Sequence, residues 1–287
     1  MVSAAGLLLL AGIASTASVQ RHSEPAVLYR DPAWSPDGKW IAFAANVANP
    51  DAFDDIYVMR ANGTSVRRVT DNAIGEGQPA WSPRQRWLAF TAYNSVEVTA
   101  VDGTGRRRLA VDACCPDWSP NGRKITYAWF NETSGSRIYT VNTDGSGRRL
   151  VAKPSIDHSY TTPAWSPTGK RLAFGVGAAP DSDPNVSRYL AIVSASGRGR
   201  ILHLARGRTV SSPVWSPDGR RIAYSEGLSY VAILRLATGK SKRILRGNHP
   251  SWSPDGKRLA FARDGDIYIA SADGSHVRKL TRPTERS

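Results

Sequence analysis

His158, His249, Glu76 and Asp112 are the residues whose side chains suit general acid–base work, yet they come from distant points in the sequence, and no paired carboxylate accompanies any of them. The five histidines, His22, His158, His203, His249 and His276, show no metal-ligand spacing, so no metal and no other cofactor is expected. Asp181-Ser182-Asp183-Pro184-Asn185 imitates the start of a calcium loop. It fails at Val186, where such a loop needs glycine, and at Ile192, where it needs glutamate. The two cysteines, Cys114 and Cys115, are neighbours. Bridging adjacent residues strains a disulfide, so they read as two small packed residues rather than as a framework or a redox pair.

The remaining candidates share one position in a repeat. Trp34, Trp81, Trp118, Trp165, Trp215 and Trp252 each stand two residues after a proline, and Ser-Pro follows every one of them. Three residues before each tryptophan stand Asp31, Gln78, Cys115, Thr162, Ser212 and His249. They differ from repeat to repeat while their neighbours do not, which marks a position that packing does not dictate. With the adjoining Glu76, Asp112, His158, Tyr160 and Arg246 they are the candidate partner-binding residues, expected on loops that open onto a channel mouth.

The elements that hold them follow from the spacing. The tryptophans are 47, 37, 47, 50 and 37 residues apart, the range of four-stranded propeller blades. Residues 31–70 serve as the type unit. Pro32-Ala33-Trp34-Ser35 is extended, Pro36-Asp37-Gly38 reverses the chain, and Trp40-Ile41-Ala42-Phe43-Ala44 alternates large and small residues with the period of a packed strand. A third strand lies at Ile56-Tyr57-Val58-Met59, Asn62-Gly63 closes a second hairpin, and Val66-Arg67-Arg68-Val69 is the fourth strand. The expected fold is all-β: a six-bladed β-propeller of four-stranded antiparallel blades, with the six tryptophans packed structurally between blades. Ala26-Val27-Leu28-Tyr29 resembles a stray fourth strand and is expected to join the last blade and close the ring.

Residues 1–17 carry no charge and contain an apolar run around Leu7-Leu8-Leu9-Leu10, too short to span a bilayer but suited to a signal peptide, or to an uncleaved anchor. Residues 18–25 then form a linker, 26–281 the propeller and 282–287 a tail. Export to the periplasm or the exterior is expected.

The 38 Lys and Arg against 24 Asp and Glu give a net charge of +14. Much of it recurs on fourth strands, as in Arg67-Arg68, Arg106-Arg107-Arg108 and Arg278-Lys279, where charge discourages edge-to-edge pairing. Dispersed around the blade rims, it implies weak attraction to anionic surfaces and no nucleic-acid groove.

Trp34-Ser35-Pro36-Asp37-Gly38-Lys39-Trp40-Ile41-Ala42-Phe43, repeated nearly whole from Trp215 and Trp252, resembles the TolB-type propeller repeat. Blade 2 departs from it, with Arg84-Gln85 in place of Asp-Gly, and blade 3 carries Asn121. The resemblance spans residues 31–281 and implies a periplasmic propeller that binds a protein or other cell-envelope component as a monomer, although the α/β domain of TolB has no counterpart in it. The same repeat forms the propeller of prolyl-oligopeptidase-type peptidases. Their catalytic domain needs a Gly-x-Ser-x-Gly elbow, and the nearest sequence is Gly145-Ser146-Gly147 in a hairpin turn. A non-enzymatic binding protein is therefore expected. The alternatives are an enzyme or carbohydrate-binding module that uses the channel mouth, and a stand-alone relative of the peptidase propellers.

Overall fold

The computed structural model describes residues 27–47, 53–84, 86–130, 135–154, 158–178, 188–198, 201–207, 209–227 and 229–281. The apolar run of residues 1–17 and the calcium-like segment at Asp181 lie outside them. The described residues form 24 strands in six four-stranded antiparallel sheets, each taken from one continuous stretch of chain and ordered innermost to outermost as in the sequence. In blade 1 the strands are Tyr29–Trp34, Trp40–Ala45, Asp55–Arg60 and Arg67–Arg68. The expected six-bladed propeller is what forms.

The alternation in the second strand explains the stacking. Ile41 and Phe43 point toward blade 6 and share a cluster with its Ala260, Ala262 and Ile269, whereas Ala42 and Ala44 point the other way and receive Leu88 and Phe90 of blade 2. Large residues of one blade thus fill the space left by small residues of the blade before it, and six such clusters occupy the six junctions. Fully burying a side chain such as Phe43 contributes about 2–3 kcal/mol, so the stack supplies the core that no single blade has.

The tryptophans do pack at these junctions. The indole Nε1–H groups of Trp81, Trp118, Trp215 and Trp252 donate to the carbonyls of Ala33, Ala80, Ala164 and Val214, each in the preceding blade. The serine after each tryptophan is buried, and its Oγ accepts the amide of the residue that opens the second strand, as from Trp40 to Ser35. In blades 1, 5 and 6 the same hydroxyl donates to the turn aspartate, Asp37, Asp218 or Asp255. The Ser-Pro-Asp-Gly signature is therefore one hydrogen-bonded turn, repeated.

Two expectations are corrected. Val27 to Tyr29 does not extend the last blade: Tyr29 and Arg30 pair with Ala45 and Ala44 in blade 1, and the tie to blade 6 is a bond from the Tyr29 amide to the Gly265 carbonyl. Blade 6 has its own outer strand at Arg278–Lys279. The outer-strand arginines do more than guard edges. Arg67, Arg107, Arg149 and Arg278 reach the hairpin carbonyls of Val101, Thr143, Ser196 and Asn62 in the next blade, clamping the rim.

Candidate functional site

The innermost strands line a central channel of about 350 Å³, and the residues three before each tryptophan stand around it. They are not on entry loops, as the sequence suggested, but within strands. The proline that follows each has no N–H to give the ladder, and the register slips there in every blade, between Arg30 and Ala33 in the first. At the slip the backbone turns left-handed: φ is 53° at Asp31, 54° at Gln78, 60° at Cys115, 46° at Thr162, 49° at Ser212 and 47° at His249. Non-glycine residues rarely adopt this conformation, and six at one position of a repeat make it a designed feature of the ring.

The ring is stitched from blade to blade. Gln78 donates its amide to Asp31 Oδ2 at 3.0 Å, Cys115 to Thr91 Oγ1 at 2.9 Å, Ser212 to Thr162 Oγ1 at 2.9 Å and His249 to Ser225 Oγ at 2.9 Å. Thr91 in turn donates to Gln78 Oε1 at 2.8 Å. Across the junction of blades 6 and 1, His249 Nδ1 pairs with Asp31 Oδ1. Burial opposes the charge of Asp31, but His249 and the Gln78 amide outweigh it and hold the carboxyl below its usual range. Burial likewise opposes the imidazolium, and Asp31 overcomes it and lifts the His249 pKa. Each partner stabilises the charge of the other.

Sequence reasoning missed a further channel residue. Asp117 stands one residue before Trp118, where the other blades have Ala33, Ala80, Ala164, Val214 and Ser251. Its Oδ1 accepts the Trp118 amide at 2.9 Å, and its Oδ2 accepts the Trp165 amide of blade 4 at 2.7 Å. Burial pushes its pKa up to about 7 against those two bonds. The available signal was a single acid at a position otherwise occupied by small or apolar residues.

The other sequence candidates lie elsewhere. Glu76 is buried at the junction of blades 1 and 2, bonded to Thr70 and Asn72 and paired with Arg106 at 2.7 Å. Tyr160 is buried against Phe174, its pKa pushed up to about 12 by burial. His158 lies beside Tyr189 at 5.9 Å between ring centres, Asp112 is exposed between blades 2 and 3, and Arg246 ends the outer strand of blade 5. None of the five lines the channel. Cys114 and Cys115 are joined as a vicinal disulfide, correcting the expectation of two packed thiols, and Cys115 lies in the channel wall. Among the described residues no group of three or more His, Cys, Asp or Glu is placed to hold a metal ion.

No family model matches the sequence. Among solved structures, the fold is similar to a putative TolB from Agrobacterium tumefaciens, with a TM-score of 0.65 and 20% identity over 75% of this chain and 84% of that one. It is similar also to TolB from Acinetobacter baumannii, with a TM-score of 0.64 and 18% identity over 89% of this chain and 66% of that one. An oligogalacturonate lyase from Vibrio parahaemolyticus matches at a TM-score of 0.56 and 12% identity, over 91% of this chain and 81% of that one. The TolB-like propeller read from the repeat is thus the fold of the molecule; identities this low carry the fold and not the activity.

Proposed function

We propose that this chain is an exported, non-enzymatic propeller that binds a protein or other cell-envelope component, as a monomer, through the loop face onto which the channel ring opens. The observation that carries the reading is the ring itself. Six different side chains occupy one structural position, and a backbone conformation uncommon for such residues turns each of them to the channel. The bonds between blades fix these groups before anything binds, which lowers the ordering cost of recognition. The resemblance to TolB agrees with a binding role.

Because Gln78, Thr162 and His249 hold neighbouring blades, removing them would loosen the fold along with the site. Ser212→Tyr is the cleaner test. The Ser212 link to blade 4 runs through its backbone amide, and Tyr93 already adopts φ 54° in this protein. The variant is expected to keep the wild-type melting temperature and to lose the envelope component that the immobilised wild-type protein retains. Undiminished capture by Ser212→Tyr removes the mouth from consideration. Export is checked by the mature amino terminus, expected near Ser18; soluble cytoplasmic protein still carrying Leu7 to Leu10 contradicts it.

A further inference from the structure

The face opposite the channel ring is formed by the Ser-Pro-x-x turns and the outer hairpins, and it carries a cation in every blade. Five residues after the tryptophans stand Lys39, Arg86, Arg123, Lys170, Arg220 and Lys257, all exposed. Their carbonyls accept the amides of Ala61, Val101, Thr143, Ala195, Leu236 and Ala272 at 2.9–3.2 Å, so the six occupy equivalent, fixed places around the channel's far end. Among the described residues none has a carboxylate within salt-bridge distance. The face thus presents six cations at one position of the repeat, interspersed with the turn acids Asp37, Asp218 and Asp255 and the hairpin acids Asp102, Asp144 and Asp273.

Between blades 2 and 3 this face sinks into a cleft of about 780 Å³ lined by Arg84, Arg86, Arg107 and Arg123, with Ser82, Asn121 and Thr143 among the polar groups. The turn acids that accompany the ring in blades 1, 5 and 6 are missing at this junction, because Arg84 and Asn121 replace them. Arg107 is anchored by the Thr143 carbonyl at 2.9 Å and lies 4.9 Å above the Trp87 ring. Asp144 is close enough to feel its charge, but that carboxylate is committed to Ser146 in its own turn. Among the described residues Arg84, Arg86 and Arg123 have no salt-bridge partner.

We propose that this cleft is a binding site for an acidic glycan, a chain of sugar units bearing carboxylate or phosphate groups, which continues from the cleft onto the cation ring. Four guanidinium groups exceed what one carboxylate or one phosphate balances, so the ligand carries several charges in succession. Arginine suits both anions because its planar fork grips two oxygens at once. A stacking platform for nucleic-acid bases is lacking: one face of Trp87 is covered by Arg107 and Trp118 is buried. The hydroxyl, amide and backbone groups of the lining suit a sugar.

The test titrates the full protein with alginate hexamers and with phosphomannan oligosaccharides of matched charge, which separate carboxylate from phosphate recognition. Neutral cellohexaose, oligo(dT) and anionic phospholipid vesicles are the comparators. Arg84→Asp with Asn121→Asp restores the turn acid present in blades 1, 5 and 6, and is expected to weaken acidic-glycan binding at least tenfold with an unchanged circular dichroism spectrum. Arg220→Ala with Lys257→Ala, on the far side of the ring, is expected to weaken it less than threefold. Should the first pair fold poorly, Arg86→Ala with Arg123→Ala reads the same cleft. Equal losses from the two sides, retention of affinity by the cleft variants, tighter binding of oligo(dT) or vesicles, or no binding of either acidic glycan at low salt would each overturn the proposal.

Discussion

Asp117 makes the stability of the protein depend on pH in a direction opposite to that of most carboxylates. Its pKa in the folded protein is pushed up to about 7 from a usual 3.8, because burial between blades 3 and 4 outweighs the two amides it accepts. An acid whose pKa rises on folding favours the folded state while protonated. Between the two values the folded chain holds a proton that the unfolded chain has released, so stability falls as pH rises. At about 1.4 kcal/mol per pH unit the whole span amounts to roughly 4 kcal/mol, of which about 2–3 kcal/mol falls between pH 5 and pH 8. Asp117→Asn removes this term while keeping an oxygen for one amide, and leaves the other amide unpaired at a cost of about 1–3 kcal/mol. Urea unfolding of both proteins at pH 5, 6, 7 and 8 should therefore show the variant below wild type at pH 5 and the gap closing by about 2–3 kcal/mol at pH 8. Taking the difference cancels contributions common to both, including the Asp31–His249 pair. A gap that stays constant across the range, or an Asp117 carboxyl carbon titrating near pH 4 by NMR, would refute the reasoning.

Gly103 has φ +88°, and a Cβ there would lie 2.6 Å from the Val69 carbonyl oxygen of blade 1, so Gly103→Ala is expected to lower stability by about 2 kcal/mol or more in chemical denaturation. Gly239→Ala, at φ +64° with nothing within 4 Å, should lose only about 1 kcal/mol; equal losses would show that the close approach between blades is unimportant. Trp215 and Trp34 are similarly buried, but only Trp215 has an indole hydrogen bond, to the Ala164 carbonyl. Trp215→Phe should therefore cost about 1 kcal/mol more than Trp34→Phe, whose phenyl ring still offers Arg258 a face; the reverse order would contradict the assigned role of the bond.

The fold was legible because its determinants are local and repeated. Trp34 to Phe43 contains the turn, the strand alternation and the packing aromatic in ten residues, and five further copies leave no other architecture. The candidate site was legible only as variation. Asp31 and its five counterparts stood out, yet their partners come from neighbouring blades, as Thr162 does for Ser212 fifty residues later, and no local pattern reveals that. The same blindness made Glu76 look like a site residue when Arg106, thirty positions on, ties it into a blade junction. The bulge escaped notice because proline reads equally well as the start of a strand and as an interruption within one. The cation five residues after each tryptophan was in plain view in five Gly-Lys or Gly-Arg pairs and in Gln85-Arg86, overshadowed by the denser charge of the fourth strands.

The first and last blades meet without exchanging a strand. At that seam the described residues offer the Asp31–His249 pair, the Trp34 amide on Ser251 Oγ, the Tyr29 amide on Gly265 and the shared apolar cluster. Much the same kinds of contact hold every other junction, so where the polypeptide is interrupted is incidental to the finished ring. A circular permutant opened between any two blades, with the native ends joined by a flexible linker, would rebuild the same set of junctions. The molecule behaves as a split washer whose gap could be cut anywhere. Because an opened gap exposes two blade faces at once, the seam is also where a seventh blade could be inserted, or a blade from a second chain accepted, with the least rewriting of sequence.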